Sequence, residues 1–179
     1  MECKKKTNNM SWNKGDRELP KVAGGQYMKI QNGTNKFRVL SEPVCGYEAW
    51  VDKKPVRRKK YEFDGMVFDK SSYTGLPQDP KVFWAMVVWN YQEQQIMILS
   101  LDKASIIRDF DQLVDDADWG DPRNYDLKIE KSGEKMNTKY TILPSNQKPI
   151  AKEILDTYHS ISINLEKLFE GGDPFEDDF

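Results

Sequence analysis

Two apolar, β-rich runs, Val82 to Tyr91 and Gln95 to Leu101, stand only Gln92, Glu93 and Gln94 apart. Runs of this composition at so short a separation pair as an antiparallel hairpin. The first run carries large side chains at both parities, with Phe83, Val87, Trp89 and Tyr91 on one face and Val82, Trp84, Met86 and Val88 on the other. A strand with one face in water alternates apolar and polar residues, and this one does not. It calls for two occupied faces, one set filling a core while the other offers flat aromatic surface.

Before the hairpin, Phe37, Val39 and Ser41 alternate with Arg38 and Leu40, and the strand continues, bent at Pro43 and Gly46, through Tyr47 to Val51. Residues 52 to 81 read as a connection holding a basic run, Gly65, Gly75, Pro77 and Pro80, within which Tyr61, Phe63, Val67 and Phe68 suggest a hairpin. After the central hairpin, Asp102 is placed to cap a helix in which Ile106, Ile107, Phe110, Leu113, Val114 and Ala117 recur at helical spacing before Gly120 and Pro122 stop it. One face of that helix must be buried. A second hairpin sets Tyr125, Leu127 and Ile129 against Tyr140 and Ile142 through Ser132, Gly133 and Glu134. Finally, Ile150, Ile154, Tyr158, Ile161, Leu165 and Leu168 predict one long amphipathic helix from Pro149 to Phe169.

Strand, strand, strand, helix, strand, strand is the element order of the OB-fold, a mainly β, five-stranded Greek-key barrel, here with an enlarged loop between strands 1 and 2. The 179 residues then divide into a flexible basic and polar arm over 1–34, the barrel with its C-terminal helix over 35–169, and a disordered acidic tail over 170–179.

The near-neutral total charge hides an asymmetry. The chain has 27 Lys and Arg against 29 Asp and Glu, but residues 170–179 hold five of the acids and no base, so the remainder carries three surplus cations. Lys53, Lys54, Arg57, Arg58, Lys59 and Lys60 fall within eight residues, and Lys4, Lys5 and Lys6 mark the amino-terminal end. A basic body with an acidic arm suits a nucleic-acid binder whose arm competes with the ligand or recruits a partner. Asp173, Pro174, Phe175, Glu176, Asp177, Asp178 and Phe179 offer almost no aliphatic surface to offset the entropy of ordering, so the tail is expected to stay mobile.

No run approaches the ~18 apolar residues of a membrane span, and no apolar segment follows the first lysines as in a signal peptide. A soluble intracellular protein with no membrane partner is expected. Two cysteines, Cys3 and Cys45, make no disulfide framework, and one histidine, His159, is too few ligands for zinc. No metal and no cofactor are expected.

In combination, Phe37-Arg38-Val39-Leu40-Ser41, Gly46-Tyr47-Glu48-Ala49-Trp50, Pro55-Val56-Arg57-Arg58, Phe83 through Tyr91, Trp119-Gly120-Asp121-Pro122 and Tyr125-Asp126-Leu127 resemble the OB-fold single-stranded DNA-binding proteins of tailed bacteriophages. The resemblance spans most of residues 35–145. It implies a non-enzymatic protein that coats single-stranded DNA in phage replication, recombination or repair, in the cytoplasm of an infected bacterial host. The acidic end is similar in kind to the tails with which bacterial and phage single-strand binders recruit replication and recombination proteins. Two departures stand out. Asp178 rather than a proline precedes Phe179, and the zinc ligands of the T-even helix-destabilising protein are absent.

Tyr47, Trp50, Trp84, Trp89 and Tyr91 are the stacking candidates, since every base has a π-face and stacking contributes about 1–3 kcal/mol per base. Arg38, Lys53, Lys54, Arg57, Arg58, Lys59 and Lys60 are the phosphate-binding candidates. For Trp84, Trp89 and Tyr91 a core position is an equal alternative, and Trp50, beside the basic run, is the best placed. A rival from another class is a metal-dependent nuclease or resolvase, because Asp126-Leu127-Lys128 is a D-x-K triplet on a strand and Asp109, Asp111, Asp115 or Asp116 could add a carboxylate. A protein- or RNA-interaction module is a third reading, and the oligomeric state stays open.

Overall fold

In the computed structural model, which describes residues 27–176, the first strand is interrupted where the sequence predicts a bend. The strands are β1 (Gly33–Val39), β2 (Val44–Val51), β3 (Lys54–Arg58), β4 (Lys81–Asn90), β5 (Gln95–Leu101), β6 (Tyr125–Ser132) and β7 (Lys139–Gln147), with helices α1 (Ala104–Asp115) and α2 (Lys152–His159). β1 and β2 both pair antiparallel with β4, Val39 opposite Val88 and Val44 opposite Ala85, so four residues of the first strand face two of the partner. Pro43 has no N–H to give a ladder at this point. The Ser41 hydroxyl accepts the Val87 N–H at 2.9 Å, which keeps the central strand's donor satisfied across the bulge.

The Val82 to Leu101 hairpin forms as its sequence requires, from Trp84 opposite Leu101 to Asn90 opposite Gln95. All seven strands belong to one antiparallel sheet, running β3, β2, β4, β1, β6, β7, with β5 on the other side of β4. β5 and β7 share no ladder among the described residues.

Both faces of β4 are covered. Met86 and Val88 point into a core with Phe37, Val39, Leu99, Leu101, Leu127 and Ile129, closed by Ile106, Ile107 and Phe110 of α1. The helix starts at Ala104 with Lys103 in the cap position and no side-chain cap, so Asp102 lies one residue too early and ion-pairs with Lys103 at 3.8 Å instead. On the opposite face Phe83, Ala85, Val87, Ile96 and Ile98 pack under Leu165 and Leu168, with Trp89, Ile161, Ile163, Phe169 and Phe175 around them.

The two cores overturn three expectations. The predicted long C-terminal helix is two short pieces: α2 stops at His159, and Leu165–Glu170 forms 3-10 turns. Ser160 and the β-branched Ile161 and Ile163 favour non-helical backbone, and Asn164 starts the second piece by accepting the Glu166 N–H at 3.1 Å. A bent segment can follow a twisted sheet where one straight helix cannot. Secondly, the acidic tail does not leave the body at Glu170. Gly171 turns the chain back at φ 73°, the Asn164 N–H donates to the Pro174 carbonyl at 2.9 Å, Pro174 is buried and Phe175 joins the apolar cluster. Asp177, Asp178 and Phe179 lie outside the described residues. Thirdly, the arm predicted over 1–34 is part of the fold from Tyr27, which bridges Ile98 of β5, while the Met28 N–H donates to the Ile98 carbonyl at 2.8 Å and its side chain is buried. Lys4, Lys5, Lys6 and Cys3 fall outside the described residues.

The stretch from 52 to 81 also differs. Its basic run is not a loop: Lys54–Arg58 is a strand on β2, turned through Asp52 and Lys53 at φ 51° and 61°. The hairpin expected around Tyr61 to Phe68 is absent, and Phe63 is buried there in an edge-to-face series linking Tyr47, Tyr61, Phe63 and Phe68.

Candidate nucleic-acid interface

Strand pairing divides the six clustered cations, because successive residues of β3 point to opposite faces. Arg57 lies opposite Glu48 and ion-pairs with it at 2.7 Å, half-buried, its guanidinium 5.5 Å from the centre of the Phe83 ring. Arg58 lies opposite Tyr47 on the other face and bonds the Arg57 carbonyl. Lys59 pairs with Glu166 of the C-terminal segment at 2.5 Å and sits beside the Phe169 ring. Lys53, Lys54 and Lys60 remain exposed. So Lys53, Lys54 and Lys60 have no ion pair among the described residues and stand at the tip and end of the hairpin, Arg57 is committed to the fold, and Lys59 is engaged in a surface ion pair.

Trp50 is where the sequence places it, 42% exposed and next to the Asp52–Lys53 turn. Its indole borders a shallow concavity of about 410 Å³ with Lys53, Lys70, Gln78 and Asp69. It also borders a smaller one, where Lys81 and Lys103 stand beside Glu48, Asp79 and Asp102. The Asp69 carboxylate accepts the Lys53 backbone N–H at 2.8 Å, which fixes the left-handed turn and presents the Lys53 side chain outward. An exposed ring with lysines beside it can stack a base and hold a phosphate.

The other stacking candidates stand differently. Tyr47 is half-buried, its ring edge-on to Tyr61. Trp84 packs edge-on against Phe110 in a cleft of about 370 Å³ whose rim carries Glu42, Asp111 and Asp121, with Arg123 bonded to Asp121. That acidic rim disfavours a phosphate. Trp89 lies in the second core beneath the C-terminal segment. No open aromatic platform on β4 exists among the described residues, because the segment predicted as a long C-terminal helix covers that face.

Arg38 is a correction. It is 1% exposed, and its guanidinium donates to Asp126 Oδ1 at 3.1 Å and to the carbonyls of Arg123 and Lys148 at 2.9 and 2.6 Å. Sealed from solvent with each guanidinium nitrogen already donating, it is out of a phosphate's reach. Tyr91 is tied to the same carboxylate by a 2.7 Å hydrogen bond, and the Lys36 ammonium covers its ring at 4.5 Å. Burial, then the bond to Asp126 and that residue's charge, push the Tyr91 hydroxyl well above the usual phenol range.

Asp126, the acid of the D-x-K triplet, is fully buried and also faces Lys148 at 2.9 Å and Lys36 at 3.4 Å. Burial works to raise its pKa, but the donors Lys148, Tyr91 and Arg38 outweigh it and hold the carboxyl below its ordinary value. Among the described residues no cluster of three or more His, Cys, Asp or Glu is placed to hold a metal ion. Lys36 and Lys148 were missed in the sequence and Lys128 was named only in the D-x-K triplet, although Lys36 and Lys128 share the strand parity of Arg38 and Asp126. No helix among the described residues is long and apolar enough to cross a membrane. No protein-family model, curated protein or solved structure matches this chain.

Proposed function

We propose that this protein is a sequence-nonspecific, non-enzymatic binder of single-stranded DNA with an OB-type barrel, coating DNA in phage replication, recombination or repair. The observation that carries the proposal is Trp50, an indole left in solvent at a hairpin end among Lys53, Lys70, Lys81 and Lys103. An exposed ring of that size with lysines interspersed among Asp69, Glu48, Asp79 and Asp102 suits a base beside a phosphate better than it suits a core. The strand order supports the barrel: taking β1 with β2 as one bent strand, the sheet runs β5, β4, β1, β6, β7, which is the third, second, first, fourth and fifth strand of the predicted element order.

The tip Asp177-Asp178-Phe179 supplies the competing and partner-recruiting acid, since Asp173, Pro174 and Phe175 are occupied in the fold. Tryptophan fluorescence during titration with poly-thymidine tests the function. Quenching that weakens as salt rises is expected, because bound phosphates release counterions. Absence of quenching at low salt overturns the proposal.

A further inference from the structure

The sheet face that carries Trp50 continues to the opposite end of β4. Glu48 lies opposite Lys81, Gly46 opposite Phe83 and Val44 opposite Ala85, and past the bulge Arg38 lies opposite Trp89. The bulge adds two residues, so parity is kept. From there the same face crosses to β6, with Arg38 opposite Asp126 and Lys36 opposite Lys128.

Two lysines directly opposite one another destabilise a strand pair unless something offsets them. Among the described residues Asp126 is the carboxylate that ion-pairs with this group, Glu130 lying two residues from Lys128 without an ion pair, and Arg38, sealed beside Asp126, already matches its charge. Lys36 and Lys148 then add two cations to the same oxygen, their side chains 38% and 53% exposed. Lys128 has no ion pair among the described residues. The patch thus holds a surplus of positive charge at partly exposed ammonium groups.

These groups are also held in place. The Tyr91 ring and Asp126 fix the Lys36 ammonium. The Lys148 carbonyl accepts from Arg38, and its N–H donates to the Asn124 carbonyl at 3.0 Å. Both ammoniums lie within 3.4 Å of Asp126 Oδ2, close enough together to bridge one phosphate. Ligands fixed before binding lose less entropy when they bind.

We propose that Lys36, Lys128 and Lys148 form a second phosphate-binding site, for the phosphodiester backbone of single-stranded nucleic acid, at the far end of the sheet face from Trp50. The site rests on the single-strand-binding function proposed above. β4 has ten residues, so the two sites stand roughly 30 Å apart, with the C-terminal segment on the face between them. A short oligonucleotide occupies one site, and only a long one engages both.

The test compares the full chain with Lys36→Gln/Lys128→Gln/Lys148→Gln, titrated with oligothymidines of about 4 and about 16 nucleotides, the span of site sizes for a single OB-fold. For the longer oligomer, the slope of log K against log salt should flatten by about 2, because three phosphate contacts contribute about 0.7 each on single strands. If the triple variant unfolds, Lys128→Gln alone, which breaks no ion pair, should still flatten the slope by about 0.7. An unchanged slope in a variant that keeps its melting temperature overturns the second site while leaving the function intact. Failure of the unaltered chain to bind either oligomer overturns both.

Discussion

The Tyr91 hydroxyl donates a 2.7 Å hydrogen bond to Asp126 Oδ1, the same oxygen that Arg38 reaches at 3.1 Å. One buried carboxylate, itself the acid of a predicted nuclease triplet, thereby joins a predicted stacking residue to a predicted phosphate ligand and gives all three a structural role. Removing one partner of a buried ion pair leaves the other uncompensated. Asp126→Ala should destabilise the protein by about 3–5 kcal/mol in denaturant unfolding. Tyr91→Phe should lose only about 1–3 kcal/mol, as one buried acceptor loses one of its donors.

The same carboxylate sets a pH dependence. Its folded pKa lies below the ordinary 3.8, so its contribution to stability is fully present above that value and is lost as the pH falls through the folded value. Thermal melts of the full chain should therefore decline below about pH 4, and Asp126→Asn should decline less steeply over the same range. Equal slopes for the two proteins would show that other carboxylates control acid unfolding.

Trp50 makes few demands on the fold and many on the ligand. Trp50→Ala should change stability by no more than about 0.5 kcal/mol, the usual range for an exposed position. It should weaken binding to oligothymidine by about 1–3 kcal/mol and remove part of the fluorescence response. Trp89→Ala should do the reverse, lowering the melting temperature because Trp89 packs under the C-terminal segment.

Two truncations separate the acidic tip from the docked segment. A chain ending at Glu176 keeps Pro174 and Phe175 in place, so it should melt like the full chain and bind single-stranded DNA more tightly, having lost two competing carboxylates. A chain ending at Glu170 strips Phe175 from the second core, so it should be less stable and bind a hydrophobic dye. Unchanged DNA affinity in the first truncation would remove the competing role of the tip.

Gly46 is a contact point between the hairpin and the C-terminal segment. A Cβ there would meet the Arg58 carbonyl and come within 2.8 Å of the Phe169 ring. Gly46→Ala should cost about 1–3 kcal/mol by overpacking, read as a lower denaturation midpoint.

The strands that formed where the sequence placed them are those whose signal is local. Phe83 to Tyr91 and Gln95 to Leu101 are apolar at every parity and joined by three residues, and Ile106, Ile107 and Phe110 repeat at helical spacing, so neighbouring residues are enough to define them. The bend at Pro43 was legible for the same reason, since a residue without an N–H breaks a ladder wherever it stands. The chain also announced Trp50 with Lys53, because they are neighbours along it, whereas Lys70, Lys81 and Lys103 reach the indole only through the fold.

Only the tertiary structure decided which aromatics and cations are free. Trp89 could be core or surface, and Arg57 read as a free cation, until Glu48 and the segment from Ile161 to Phe175 arrive, the latter from more than 70 residues away in the chain. Arg38 and Asp126 are 88 residues apart and meet through the pairing of β1 with β6. Sequence fixes the period of an element and so the parity of each side chain. Burial and charge pairing depend on what lies across the sheet, and register between distant strands is what sets that.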